Sequence, residues 1–297
     1  MRVIPLLLIS LIGQAPRSAT TFSSRSDLVV LHVSVVDARA GFVGGLPREA
    51  FTVHEDGRPQ PIAFFEHEDT PVNVGLVIDN SGSMGPRRDA VIAAGMAFAE
   101  SSHPADEMFT VNFNERVWPG LADGRAFTSD HDELRAALSR TGARGKTALF
   151  DAIDSALQHL AGGRQPRKVL IVVSDGGDNA SRVRFEDVLD GALRRDVVIY
   201  AIGLADRDDS DAKPGLLREL ARITGGEAFF PRTNEEIAPA LERIARDIRS
   251  SYTLGFVPEA DRRAGVRRKL RVDVHAADRH GLTVRARSLY VNPGAGK

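Results

Sequence analysis

The sequence predicts an α/β fold: a doubly wound, mostly parallel sheet inserted in a small β-sandwich that is formed by the N- and C-terminal segments. Three observations carry this expectation. Nearly unbroken apolar runs occur at 72–78, 109–111, 169–173 and 197–202, as strands covered on both faces require. Helical patterns alternate with them, which implies crossover connections and two helical layers. On either side of this unit the texture changes to period-two alternation, the mark of half-buried strands.

Taken in chain order, residues 28–37 read LVVLHVSVVD, with Leu31, Val33 and Val35 on one face of a strand. Phe51-Thr52-Val53-His54 and Ile62-Ala63-Phe64-Phe65 flank Asp56-Gly57 and read as a hairpin with a somewhat long loop. These elements make an N-terminal β segment over 27–69. The α/β unit spans 71–249, with helical patterns at 89–101, 131–139, 148–161, 185–195, 216–223 and 234–249. Beyond Ser250 comes a C-terminal β segment over 251–293: Tyr252-Thr253-Leu254-Gly255-Phe256, then Leu270, Val272 and Val274 alternating with Arg271, Asp273 and His275, then 282–291. A sandwich closed by both ends explains why the α/β unit is bracketed by β texture.

Composition narrows the function. Among 297 residues, 39 basic and 40 acidic side chains leave a net charge of -1, without the basic excess that nucleic-acid binding requires. Cysteine is absent, so any metal must take oxygen or imidazole ligands. Residues 1–20 open with Met1-Arg2, continue through an apolar run at 3–12 and reach the small residues Gly13 and Ala15, a signal-peptide layout that predicts an exported, periplasmic or secreted protein. That run is too short to span a bilayer as a helix, which takes about 20 residues, and no later stretch approaches this.

Open parallel sheets place ligands at the carboxyl ends of their strands. The 72–78 run leads into Asp79-Asn80-Ser81-Gly82-Ser83, the 169–173 run into Ser174-Asp175-Gly176-Gly177, and a loop before the third helical pattern reads Gly142-Ala143-Arg144-Gly145-Lys146-Thr147. Hydroxyls with few carboxylates suit a hard divalent cation, magnesium above all. Asp79, Ser81 and Ser83 can ligate from one tight turn, and a carboxylate from outside would complete so electron-poor a site.

These residues resemble the metal-ion-dependent adhesion site of von Willebrand factor A domains: Asp-x-Ser-x-Ser at Asp79, Ser81 and Ser83, a loop threonine at Thr147 before Ala148-Leu149-Phe150-Asp151, and Ser174-Asp175-Gly176. The likeness covers about 71–249, and the flanks look like those of bacterial exported proteins that set such a domain in a β framework. It implies a magnesium ion, replaceable by manganese or calcium, bound directly by Ser81, Ser83 and Thr147, with Asp79 and Asp175 acting largely through water. It further implies a partner protein that supplies an Asp or Glu to the open position, in a family that binds proteins and is mostly non-enzymatic.

Rival readings meet specific obstacles. A P-loop ending in Gly145-Lys146-Thr147 would need glycine where Arg140 stands, and a nucleophile elbow at Ser83 would need glycine where Ser81 stands. A haloacid-dehalogenase-like phosphatase needs a second aspartate at Ser81. A metal-assisted hydrolase and a structural exported protein with a degenerate site remain as the alternative classes. His54-Glu55-Asp56 and His67-Glu68-Asp69 read as solvated hairpin and linker, Asp206-Arg207-Asp208-Asp209-Ser210-Asp211 as a solvated acidic loop on the site's edge, and Trp118 as packing at a strand end. Arg262, Arg263, Arg267, Arg268, Lys269 and Arg271 read as the solvated face of a sheet.

Overall fold

The computed structural model describes residues 28–39, 41–67, 69–122, 124–140, 142–204, 213–258, 265–277 and 279–292. The leader at 1–20, the acidic loop at 206–211, and Arg262 and Arg263 lie outside them. In chain order the elements are β1 (Val29–Val36), β2 (Phe51–Glu55), β3 (Arg58–Gln60), β4 (Phe64–Glu66), β5 (Val72–Asp79), α1 (Arg88–Glu100), β6 (Glu107–Phe113), β7 (Val117–Pro119), α2 (His131–Ser139) and α3 (Leu149–His159). They continue with β8 (Arg167–Ser174), α4 (Phe185–Arg194), β9 (Val197–Gly203), α5 (Pro214–Thr224), β10 (Ala228–Phe229), α6 (Ile237–Ser250), β11 (Tyr252–Phe256), β12 (Arg267–Val274), β13 (Thr283–Arg285) and β14 (Leu289–Val291).

The central sheet has the order β10-β9-β8-β5-β6-β7, parallel throughout except for the short β7 beside β6. Its apolar runs are explained by what covers them. Val74, Leu76 and Ile78 of β5 and Val169, Ile171 and Val173 of β8 face a core shared with Val91 and Phe98 of α1 and Ile244 and Ile248 of α6. Val77, Leu170 and Val172 face the opposite core, with Ile153 and Leu157 of α3 and Val188 of α4. Each fully buried Leu, Ile or Val contributes roughly 1.5–3 kcal/mol relative to an exposed one, and the polar residues buried in these strands, such as Asn73 and Asn112, have hydrogen-bond partners.

The two ends of the chain build a pair of four-stranded sheets, ordered β13-β1-β11-β4 and β14-β12-β2-β3. Leu31 and Val33 of β1, Leu254 of β11, Val53 of β2 and Leu270 and Val272 of β12 close a third core between them. Tyr252 sits fully buried there, its hydroxyl accepting from the Leu46 amide at 3.0 Å and donating to the Val43 carbonyl at 2.9 Å. The expected sandwich of both termini is therefore present.

Two details of the expected pairing differ. The Asp56-Gly57 turn joins β2 to β3, not to 62–65: both residues have positive φ, 48° and 82°, as a tight two-residue hairpin requires, while Phe64–Glu66 crosses to pair with β11. The 282–291 stretch, read as one element, divides into β13 beside β1 and β14 beside β12, because the chain changes sheets at the corner. Trp118 lies half-buried in β7, opposite Asn112. His54 faces Asp273 at 3.4 Å and His67 packs on Tyr252 with ring centroids 4.1 Å apart.

A polar layer ties the end of α6 to the framework. The buried Asp247 carboxylate accepts from Tyr200 Oη at 2.9 Å and from the Arg285 guanidinium, and Arg285 also reaches Glu227 at 2.6 Å. Two residues on, Arg249 pairs with Asp106 at 3.0 Å and Asp69 at 2.7 Å. Among the described residues no helix is long and apolar enough to cross a membrane.

Candidate functional site

The site is built at the carboxyl edge of β5 and β8, where the chain leaves the sheet in two adjacent turns. Asp79 is the last residue of β5 and is buried, at 2% exposure. Its Oδ1 accepts from the Ser81 amide at 2.8 Å, which bends the turn back over the strand end, and its Oδ2 accepts from Ser174 Oγ at 2.6 Å. The Ser81 and Ser83 hydroxyls lie 3.1 Å apart, and Ser83 Oγ donates to Asp175 Oδ2 at 2.5 Å. Asp175 Oδ1 is held by the Gly177 amide at 3.0 Å. Four of the five expected residues are thus joined by hydrogen bonds, Asp79 to Ser81 through the Ser81 amide and Ser81, Ser83 and Asp175 through side-chain oxygens.

Thr147 reaches the same edge by a different route. The Gly82 amide donates to the Gly145 carbonyl at 3.2 Å and the Arg144 amide to the Asn80 carbonyl at 2.8 Å, so the loop before α3 is zipped to the Asp79 turn. From the other side the Thr147 amide donates to Asn179 Oδ1 at 3.0 Å, and its carbonyl accepts from the Asn179 and Ala180 amides at 3.0 Å. Among the described residues, no hydrogen bond joins the Thr147 hydroxyl directly to the other four. Gly145 makes the loop possible: its φ is +82°, and a Cβ there would come within 1.7 Å of Glu115 Oε2, which accepts from the Lys146 amide at 3.1 Å.

Several supporting roles escaped the sequence reading, which places Ser174 and Asn80 at the strand ends without giving either a task. Ser174, fully buried at the end of β8, fixes the Asp79 carboxylate and is itself fixed by the Gly176 amide at 3.1 Å. Asp178 supplies the N-terminal cap that α3 lacks locally, accepting from the Leu149 amide at 2.9 Å and from Ser181 Oγ at 2.6 Å. Asn80 donates to Asn112 Oδ1 at 3.1 Å and to the Ile78 carbonyl at 3.1 Å, a buried amide pair behind the turn. The available signal was polar residues directly abutting apolar strands, where burial makes each demand a partner.

Burial pushes the Asp79 carboxyl up to about 6, with hydrogen bonds from Ser174 and Ser81 opposing the shift and the Asp175 charge adding to it. A carboxylate that is costly to ionise beside a second carboxylate is a place where positive charge is favourable. The donors also suit a hard cation in spacing. Octahedral coordination at 2.0–2.1 Å sets neighbouring ligand oxygens about 2.9 Å apart, close to the 3.1 Å between the Ser81 and Ser83 hydroxyls. The described residues contain no cluster of three or more His, Cys, Asp or Glu side chains able to hold a metal ion; this edge offers two carboxylates among hydroxyls.

Comparison with known proteins agrees with this architecture. The von Willebrand factor type A domain model matches residues 73–244, while a search of curated proteins found no match. Among solved structures, a von Willebrand factor type A protein from Catenulispora acidiphila is 15% identical and aligns over 91% of this chain and 75% of its own, with a TM-score of 0.52. Proximal thread matrix protein 1 from the mussel byssus, 16% identical, aligns over 64% of this chain and 49% of its own with a TM-score of 0.53. The conserved hypothetical protein BatB from Bacteroides thetaiotaomicron, 17% identical, aligns over 60% of this chain and all of its own, 100%, with a TM-score of 0.49. The first two likenesses support the fold, and that to the Catenulispora protein extends well beyond the family match into the β framework. With that match running from β5 into α6 around the Asp79 edge, the chain belongs to the von Willebrand factor type A domain family.

Proposed function

We propose that the chain is an exported protein-binding module that holds a magnesium ion, replaceable by manganese or calcium, at the Asp79 edge and captures an Asp or Glu of a partner protein. The observation that carries this reading is the convergence on one edge of the Ser81 and Ser83 hydroxyls, 3.1 Å apart, with the Asp175 carboxylate 2.5 Å from Ser83 Oγ and the Asp79 carboxylate held by the Ser81 amide at 2.8 Å. The Ser81, Ser83 and Thr147 hydroxyls would contact the ion, with Asp79 and Asp175 acting through water. When bound, the cation supplies a position of unsatisfied positive charge at the protein surface.

The chain's own residues shape that position. Ser174 orients Asp79, and Asn179 and Asp178 hold the Thr147 loop against the Asp79 turn. Hydroxyls neutralise no charge, and with Asp79 and Asp175 acting through water no charged side chain of this protein would contact the ion directly, so a partner carboxylate is the natural complement. No residue is assigned a catalytic role. Export rests on the leader pattern at 1–20.

The test is titration calorimetry of the chain with magnesium chloride, beside Asp79→Ala, followed by partner capture with and without EDTA. The expected result is saturable binding that the variant loses and partner capture that chelator abolishes. Capture that Asp79→Ala or EDTA leaves unaltered overturns the reading.

A further inference from the structure

The basic run in the C-terminal β segment has a more specific arrangement than a solvated face. Arg267 Nε pairs with Asp190 at 2.8 Å, Arg268 with Asp56 at 2.9 Å and Arg271 with Asp273 at 3.0 Å. Lys269 is the exception in the described part of the run. It is exposed and has no carboxylate partner among the described residues.

The direction in which Lys269 points follows from the pleat. Leu270 and Val272 enter the sandwich core, so Lys269 and Arg271 stand on the opposite face of β12, together with His54 of the neighbouring β2. At β14 that same face packs on the α/β unit, with Leu289 and Val291 joining its core. The backbone pins this junction: the Ser288 amide donates to the Ile223 carbonyl at 3.0 Å, and the Ser288 carbonyl accepts from the Leu270 amide at 2.8 Å. Beyond β14 the sheet and the end of α5 border an open cleft of about 480 Å³.

Its lining combines Lys269, Arg271 and His54 from the sheet with Arg222 from the last turn of α5, around the apolar surface of Ile223 and Leu289. No carboxylate is among the described residues that line it. Arg222, like Lys269, is exposed and has no acidic partner among the described residues. Unneutralised cations beside apolar surface, in a concavity of the size that small ligands use, are the chemistry of a site for an anionic head on an apolar body.

We propose that this cleft between α5 and the β12 face binds a small organic anion with an apolar body, Lys269 and Arg222 engaging the anionic head and Ile223 and Leu289 the apolar part. The site is separate from the Asp79 edge and does not depend on the metal reading.

The experiment is a fluorescence titration of the full chain with 8-anilinonaphthalene-1-sulfonate at neutral pH, low salt and in EDTA. One saturable site is expected, weakened about fivefold or more by Lys269→Glu and by Arg222→Glu separately, and weakened by added salt. Arg135→Glu, an exposed reversal on α2, should leave it unchanged, as should Asp79→Ala. The anion 2-naphthoate should displace the dye, whereas uncharged naphthalene-2-carboxamide should not. If a reversal variant loses its far-ultraviolet circular dichroism, Lys269→Gln and Arg222→Gln take its place. Binding without saturation, binding by either charge variant as tight as that of the parent, or equal displacement by the two naphthalenes overturns the proposal.

Discussion

Ser174 Oγ donates to Asp79 Oδ2 at 2.6 Å, across the junction between two adjacent parallel strands. One fully buried hydroxyl thereby fixes the carboxylate that organises the entire edge. Ser174→Ala removes that orientation without touching any proposed ligand. The expected outcome is magnesium affinity about 10- to 100-fold lower, as for outer partners of metal ligands generally, with a stability loss of about 1–2 kcal/mol. Calorimetry and urea unfolding of the same variant read both.

The cation-free chain should be stabilised by Asp79→Asn. The Asp79 carboxyl is pushed up to about 6 in the fold, above its ordinary value, so the folded state binds a proton that the unfolded state has released. Stability is then greatest below the ordinary carboxylate range and falls as pH rises through about 6. Thermal melts in EDTA at pH 7.5 should show Asp79→Asn above the parent by roughly 1–3 kcal/mol, with the gap closing at pH 4.5. Added magnesium should raise the melting temperature of the parent only.

Gly145→Ala places a methyl group where the Glu115 carboxylate lies and demands a φ that L-residues avoid. A cost of about 1–3 kcal/mol is expected, together with weaker magnesium binding because the same loop carries Thr147. Glu115→Ala in the same chain should relieve the overlap but not the positive φ, restoring part of the stability in a double-mutant cycle.

Arg285→Ala leaves the buried Asp247 carboxylate without its guanidinium. Breaking one side of a buried pair is expected to cost about 3–5 kcal/mol, measurable by denaturant unfolding. Replacing both members, Arg285→Met with Asp247→Leu, should cost markedly less, since no charge is then stranded.

Much of this molecule was determined by its sequence. Apolar runs at 72–78 and 169–173 required a sheet covered on both faces, and polar residues where those runs stop located the edge at Asp79, Ser81, Ser83 and Asp175. Local periodicity is enough for this, because burial on one or two faces sets the alternation of neighbours along a strand. Pairing over distance is decided otherwise. That Arg58–Gln60 completes the hairpin while Phe64–Glu66 crosses to β11, and that 282–291 divides between two sheets, depends on which core each short segment reaches. Ser174 stands in the motif without a stated task, and Asp178 and Asn179 are ordinary polar residues in the sequence. Only the tertiary structure gives them Asp79, the start of α3 and Thr147 as partners, because a hydrogen bond depends on approach in space and leaves no trace in composition.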